Sequence, residues 1–311
     1  MTYEEFQQAL SLRPEIEQGP LLRARGRVVA GGMGGSALPA DALRFLDPTF
    51  PIAAHRDYDL PDDAPQDAHY VALSYSGNTA ETLAFARAAL DRKLSLSVVT
   101  SGGALEKLAR ERGAPLVMVP RGMQPRAALF YQFGALLALT GRADLADALA
   151  SVRFREAEAE EEAHKLAGAL RDSLPHFYAA RKNAFLAWVA KIHTNEGAKM
   201  PGYANAFSEL NHNEMQSFDE MAPAGIASAA RFVLLRDPHE DPRVARRMEV
   251  FKEVMKSRNR VCHELVLWGD TRAAQLARGW FVLHRYERLL AAARGVDPDA
   301  VPLIEDFKKR L

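Results

Sequence analysis

The first half of the chain alternates short apolar runs with stretches that have the periodicity of helices. Five runs have the length and composition of strands: RVVAG (27–31), PIAAH (51–55), HYVALSY (69–75), LSLSVVTS (94–101) and PLVMV (115–119). Helical patterns lie between several of them, at 37–46, 79–93 and 103–113. This alternation is typical of a parallel sheet with helices on its faces. Such sheets bind ligands outside the carboxyl ends of their strands, so we expect a site at that edge.

The second half mixes the same patterns less regularly. It contains a helical pattern near 181–200, strand patterns at 231–237 and 262–269, a helical pattern at 271–294 and an amphipathic one at 301–311. Residues 151–174 are rich in charge and alanine, which predicts a solvated surface helix joining two halves. At 311 residues the chain has room for two domains, and we predict an α/β fold divided into 1–150 and 151–311.

Composition narrows the class of partner. Lys+Arg and Asp+Glu both count 40, whereas a chain that binds the nucleic-acid backbone is normally basic. No apolar run reaches the roughly 18 residues of a membrane span, and the N-terminus lacks the layout of a signal peptide. The single cysteine, Cys262, cannot form an internal disulfide. We therefore expect a cytoplasmic protein that binds neither nucleic acid nor membrane.

A glycine-rich loop, GGMGGS (31–36), follows the first predicted strand. It is not a Walker loop, because no G-K-[ST] follows it. It is also a poor dinucleotide fingerprint, because the third glycine would fall at position 37, which is alanine. Alone, the loop is compatible with either a structural turn or a ligand site.

A second loop, SYSGNTAETL (74–83), follows the third predicted strand. Helix capping by Ser76 or Asn78 would explain one of its hydroxyl residues. It does not explain three, Ser74, Ser76 and Thr79, with a glycine among them. Free N–H groups at a helix N-terminus, flanked by hydroxyl donors, suit a phosphate. The pattern therefore favours a monophosphate site that needs no lysine or metal.

Together these loops resemble the sugar isomerase (SIS) domain, in which a serine/threonine loop of the form S-x-S-G-x-T-x-E-T holds the phosphate of a phosphosugar. The segment NEGAKMPGYANAFSELNHNE (195–214) resembles the bifunctional phosphoglucose/phosphomannose isomerases, which are built from two SIS domains. The resemblance extends from about residue 25 to the C-terminus. It implies two α-β-α sandwiches, the first carrying the phosphate loops and the second carrying the catalytic base and the final helix.

The resemblance also implies an activity and a set of site residues. The activity is the interconversion of fructose 6-phosphate with glucose 6-phosphate and mannose 6-phosphate through a cis-enediol, in a homodimer, without cofactor or metal. The phosphate-binding residues it implies are Gly35, Ser36, Ser74, Ser76 and Thr79. The catalytic residues it implies are Arg126, the base Glu196, the ring-opening histidine His212, supplied by the neighbouring subunit, and Lys308 or its neighbour Lys309.

The chemistry of these residue types agrees with such roles. Glu196 continues the apolar stripe Phe185, Val189 and Ile192 at helical spacing, and a desolvated carboxylate is a better base. The alternative is an ion pair of Glu196 with Lys199. Arg126 follows a proline at a predicted helix start, where a cation opposes the helix dipole and suggests an anion in front of it. Its alternative is an ordinary surface arginine.

Other interpretations remain open for the second half. His212 lies among turn residues and could make only a backbone hydrogen bond, and Lys308 could be a helix cap. His193 and Glu196 could share a metal, but no third ligand appears at a suitable spacing. A non-catalytic phosphosugar sensor would carry the same phosphate loops. The family's small threonine before the final helix is missing from 296–306, where Ala300 is the candidate replacement.

Overall fold

Each half of the chain folds around its own parallel sheet. The computed structural model describes residues 1–19, 26–221 and 224–310. These residues form two units, Met1–Val152 and Arg153–Leu311. The predicted fold class, α/β with mainly parallel sheets flanked by helices, is confirmed.

The sheet of the first unit has five strands in the order β2-β1-β3-β4-β5, and all four pairings are parallel. The strands are β1 (Val28–Gly31), β2 (Ile52–His55), β3 (His69–Ser74), β4 (Ser95–Thr100) and β5 (Leu116–Met118). Each lies inside its predicted range. The helices are α1 (Tyr3–Leu10), α2 (Leu38–Leu46), α3 (Ala80–Asp91), α4 (Gly103–Arg112), α5 (Leu129–Leu139) and α6 (Ala143–Ala150). Because β1 and β3 are neighbours, the loops that follow them emerge side by side.

Helix α3 is fixed to this sheet by one large side chain. Phe85 is completely buried, and its ring occupies the space that a Cβ at Gly31 would need, 2.6 Å away. Burying a phenylalanine side chain contributes about 1.5–3 kcal/mol to folding. A glycine at the end of β1 therefore lets α3 approach the sheet closely, which sets the position of its N-terminus.

The sheet of the second unit has four parallel strands in the order β7-β6-β8-β9. They are β6 (Leu174–Ala180), β7 (Tyr203–Phe207), β8 (Ala230–Arg236) and β9 (Val261–Val266). The helices are α7 (Glu156–Leu170), α8 (Ala184–Ile192), α9 (Ala224–Ala229), α10 (Pro242–Ser257), α11 (Arg272–Arg294) and α12 (Pro302–Arg310). Although α11 has 23 residues, the described ranges contain no helix that is both long and apolar enough to cross a membrane.

The predicted surface helix at 151–174 is correct for one face only. Helix α7 ends at Leu170, and the last predicted residue, Leu174, begins the central strand β6. Four small or aliphatic side chains at helical spacing are buried and form the face that packs against α11: Ala159, Ala163, Leu166 and Leu170. On the other side of this contact, Arg278 of α11 reaches Glu162 with two hydrogen bonds of 3.0 and 3.1 Å. The charge run therefore belongs to an amphipathic helix.

Candidate functional site

The two loops predicted to bind phosphate are joined by a hydrogen bond at the carboxyl edge of the first sheet. Ser36 lies in a 3₁₀ turn, Gly34–Ala37, and its Oγ accepts a hydrogen bond of 3.0 Å from the backbone N–H of Tyr75. Ser74 ends β3, and its Oγ donates to Thr79 Oγ1 over 3.0 Å. The same Oγ accepts from the N–H of Gly77 at 3.1 Å. The Ser36 hydroxyl thus ties the first loop to the second, and the Ser74 hydroxyl holds the second loop together.

Helix capping does not account for the hydroxyls of the second loop. The residue at the N-cap of α3 is Thr79, and its side chain makes no capping hydrogen bond. Ser76 is exposed and accepts from the N–H of Asn78 at 3.3 Å, while Asn78 Oδ1 accepts from the N–H of Ala104 in α4 at 3.0 Å. The alternative in which Ser76 or Asn78 caps α3 is therefore wrong. The N-terminus of α3 lacks a side-chain cap, as an anion site requires.

Arg126 lies beside the glycine-rich loop and is buried, with 1% of its surface exposed. A Cβ at Gly35 would lie 2.5 Å from the backbone nitrogen of Arg126, so only glycine allows this approach. The alternative of a surface arginine is wrong. The predicted helix start is also wrong, because α5 begins at Leu129 and Arg126 lies in a preceding turn closed by hydrogen bonds to Gln124 O. The structure thus brings together Gly35, Ser36, Ser74, Thr79 and Arg126.

A third loop at this edge was not predicted. Ser101 follows β4, and its Oγ donates to Tyr75 O at 2.7 Å. The next residue, Gly102, packs against the second loop, with its carbonyl oxygen 1.7 Å from the position of a Cβ at Gly77. Arg121 Nε donates to Ser101 O and leaves most of its side chain exposed. The sequence signal was the pair of glycines directly after a strand, as in the first loop.

In the second unit, Glu196 lies in a π-helical turn. Helix α8 ends at Ile192, and the backbone continues through His193–Gly197 with the wider spacing of a π-helix, closed by a 3.3 Å hydrogen bond from Ala198 N–H to His193 O. The prediction of one regular helix near 181–200 is wrong from residue 193 onward. Single π-turns occur frequently at functional sites. Glu196 is half-buried there.

Lys199 joins this turn to the segment that precedes α12. Its Nζ donates to the carbonyl oxygen of Glu196, to that of Gly197 at 3.3 Å and to that of Pro298 at 3.4 Å. These contacts bind the backbone of the turn. They give Lys199 a structural role that the sequence alternative of an ion pair did not include.

His212 and Lys308 occupy exposed positions on two further elements of this unit. His212 ends a 3₁₀ turn, Glu209–His212, and lies beside a small cleft that Met215 and Arg258 also line. Lys308 is on α12, and every described residue of that helix is exposed. Three large apolar side chains of α12 are exposed as well: Leu303, Ile304 and Phe307. Glu196, His212 and Lys308 thus lie on three separate elements.

Behind Glu196 lies a buried cluster of His193, His284 and Glu287. All three are at most 3% exposed, and one potential ligand atom of each lies within 4.8 Å of the others. Only His193 of the His193 and Glu196 pair considered from the sequence belongs to this cluster. However, His193 Nδ1 is in direct contact with Glu287 Oε2, which leaves no space for an ion between those two atoms. Burial lowers the pKa of His284 to about 3, so that this ring is neutral at physiological pH.

A family model and several known proteins are similar to this chain in sequence. Residues 159–311 match the family model described as "Bacterial phospho-glucose isomerase C-terminal SIS domain". The bifunctional phosphoglucose/phosphomannose isomerase of Caldicellulosiruptor bescii is 31% identical, over 99% of this chain and 96% of that protein. The protein of the same name from Thermoplasma volcanium is 30% identical, over 92% of this chain and 91% of that protein.

Solved structures share the fold at lower identity. The C-terminal domain of glucosamine-fructose-6-phosphate aminotransferase from Francisella tularensis superposes with a TM-score of 0.67 at 14% identity, over 96% of both chains. That likeness concerns the fold alone. The sequence relationships extend over almost the whole chain, and the resemblance found in the two motif regions is confirmed by them. The chain belongs to the family of bifunctional phosphoglucose/phosphomannose isomerases.

Proposed function

We propose that this protein is an aldose–ketose isomerase that interconverts fructose 6-phosphate with glucose 6-phosphate and mannose 6-phosphate. The observation that carries the proposal is the hydroxyl loop at the N-terminus of α3, where Ser74 and Thr79 are held together over a helix end without a side-chain cap. Such an end attracts a phosphate monoester. Membership of the family supports the reaction class.

In this scheme the loops of the first unit hold the phosphate. Ser36, Ser74, Ser76 and Thr79 supply hydroxyls, and Gly35 lets the backbone approach the ligand. Arg126 stabilises the negative charge that develops on the enediolate oxygen. A buried guanidinium is well suited to that task, because its attraction for an oxyanion is weakened less by solvent than that of an exposed one.

The residues of the second unit move protons. His212 and Lys308 assist ring opening, in which the ring oxygen gains a proton and the C1 hydroxyl loses one. Glu196 then removes the proton from C2 of the open aldose, and the electron pair moves to form the enediolate. The O2 hydroxyl then loses its proton and O1 gains one. Returning the C2 proton to C1 completes the ketose, with its carbonyl at C2. The carboxylate thus acts as base and then as acid.

The test is conversion of fructose 6-phosphate by the purified chain, with each aldose product quantified separately. We expect turnover to both aldose phosphates and the same rate after treatment with EDTA. A rate abolished by EDTA and restored by a divalent metal would contradict the proposed chemistry. Thermal stabilisation by fructose 6-phosphate without any turnover would instead identify a phosphosugar sensor. Mannose 6-phosphate is the C2 epimer of glucose 6-phosphate. Its formation therefore also tests whether Ala300 leaves the room at C2 that the family's small threonine provides.

We also propose a homodimer in which His212 acts on the substrate bound by the partner subunit. Its exposure supports this assignment, because a ring at the surface is available to a second chain. Mixing two inactive variants, His212→Gln and Glu196→Gln, would then create one intact site in each mixed dimer. After subunit exchange, we expect up to about a quarter of wild-type activity, because half of the dimers are mixed and each has one of two sites.

The control for this experiment is each variant exchanged with itself, which stays inactive. No recovery in the mixture, with mixed dimers demonstrated by mass spectrometry, would place His212 and Glu196 in the site of the same chain. A chain that stays monomeric would remove the arrangement altogether.

We place the enzyme in the cytoplasm, without nucleic-acid or membrane partners. The unpaired Cys262 is half-buried, and burial raises the pKa of its thiol to about 12, so that it is an unreactive thiol rather than a disulfide partner. With 40 basic and 40 acidic residues, the chain has no net positive charge that would attract a polyanion.

A further inference from the structure

The π-turn that carries Glu196 packs at both of its ends against one buried carboxylate of α11. Oε2 of Glu287 contacts Nδ1 of His193, the first residue of the turn. Oε1 of the same carboxylate lies 1.9 Å from the position of a Cβ at Gly197, the last residue of the turn. Any side chain at 197 would collide with it. The carboxylate therefore spans the segment whose fourth residue is Glu196.

A second contact from α11 reaches the middle of the turn. The hydroxyl of Tyr286 is 3.0 Å from Thr194 Oγ1, which also lies 2.8 Å from Ala190 O. Tyr286 is fully buried, and burial raises the pKa of its phenol, which keeps the hydroxyl protonated and able to donate. Two adjacent residues of α11 thus contact the turn, in addition to the Lys199 contacts with its backbone.

The energetics of burial favour a positional role for the pair of His193 and Glu287 over a purely stabilising one. Burying a carboxylate is costly, and a buried charge pair contributes little more to folding than well-packed apolar residues of the same size. His193 is fully buried and Glu287 is 2% exposed. What an apolar pair could not supply is a directional contact that fixes the wider spacing of a π-turn.

We propose that Glu287 is a positioning residue of the proton-transfer step. Through its contacts with His193 and Gly197 it fixes the orientation of the Glu196 carboxylate. This proposal rests on the proposed function of Glu196. A shift of about 1 Å in a catalytic group can cost about 100-fold in rate.

The experiment compares Glu287→Met, Glu287→Gln and the control Gln275→Met. Gln275 is a polar residue of the same helix, also 2% exposed, with a 3.0 Å hydrogen bond to Asp237. For Glu287→Met we expect kcat to fall about 100-fold with KM changed less than about threefold. Glu287→Gln, which fills the same volume and can accept from His193, should recover most of that loss. Gln275→Met should lose stability but keep kcat.

A second measurement does not depend on turnover. Hydrogen exchange followed by mass spectrometry should show faster exchange in residues 193–198 of Glu287→Met, and unchanged exchange there in Gln275→Met. Unchanged exchange in folded Glu287→Met would overturn the proposal even if the wild-type chain proved not to be an isomerase. An equal loss of kcat in Gln275→Met would reduce Glu287 to a structural residue. Zn²⁺ retained by the wild-type chain and lost in Glu287→Met would make the cluster a metal site and also overturn it.

Discussion

Replacing Glu196 with glutamine is expected to lower kcat for fructose 6-phosphate by about 10³-fold or more, with KM changed by less than about threefold. General acid–base catalysis contributes about 10²–10⁴-fold, and the amide has nearly the same shape as the carboxylate but cannot accept the proton that leaves C1 of the ketose. The fold should be preserved, because Glu196 is half-buried and its turn is held by the neighbouring residues His193, Thr194 and Gly197.

The control is Glu253→Gln, a change of the same chemistry at a side chain that is 67% exposed on α10. It should keep wild-type kcat and KM. Substrate binding to Glu196→Gln can be measured by calorimetry with fructose 6-phosphate. If Glu196→Gln retained more than about a tenth of the wild-type kcat, the base would have to be another residue.

Replacing Gly77 with alanine is expected to raise KM for hexose phosphates at least tenfold. Gly77 has φ of +67°, and a Cβ there would lie 1.7 Å from the carbonyl oxygen of Gly102. Because that atom belongs to the backbone, the second loop must move relative to the third, and Ser74 and Thr79 lose their common geometry. A tenfold loss of affinity corresponds to about 1.4 kcal/mol, a small part of what such a clash costs.

Gly113→Ala separates this clash from the backbone strain. Gly113 has nearly the same φ, +64°, but no atom lies within 4 Å of its Cβ position. It should lose about 1–2 kcal/mol of stability with kinetics unchanged. Thermal unfolding and steady-state kinetics of both variants test the comparison. Equal KM values for Gly77→Ala and wild type would show that the loop does not hold the phosphate.

The first sheet could be predicted from the sequence because its strands are apolar and its helices periodic. β3 illustrates why: all six of its residues are buried, and residues 70–73 form an apolar run, as is typical of a strand in a sheet covered on both faces. The same logic placed the loops after β1 and β3 at one edge. Local pattern and tertiary position agree in this unit.

Two strands of the second sheet were missed for identifiable reasons. β6 contains Pro175 and His176, residue types that argue against a central strand, and a charged helical run precedes it directly. The proline is tolerated because it is the second residue of the strand. β7 is only five residues long and, in YANAF, alternates small and polar side chains. In both strands, packing against neighbours overrides a weak local preference.

Candidate site residues could be proposed from the sequence, but their supporting contacts could not. Hydroxyl residues after a strand and a carboxylate near a helix end can be recognised in the sequence itself. The partnership of His193 with Glu287 spans 94 residues, and no spacing rule reveals it. Likewise, the burial of Arg126 depends on the approach of Gly35, which only the folded loop shows.

The π-turn separates the packing of α8 in the core from the direction of the Glu196 carboxylate, which a regular helix would couple. In a continuous α-helix, Glu196 would share a face with Val189 and Ile192, so its direction would be set by whichever residues fill the core. The wider turn between them makes the direction of the carboxylate independent of that face. Substitutions among the core residues of α8 can then change its packing without changing the direction of the Glu196 carboxylate, which depends instead on a short segment and its contacts with α11.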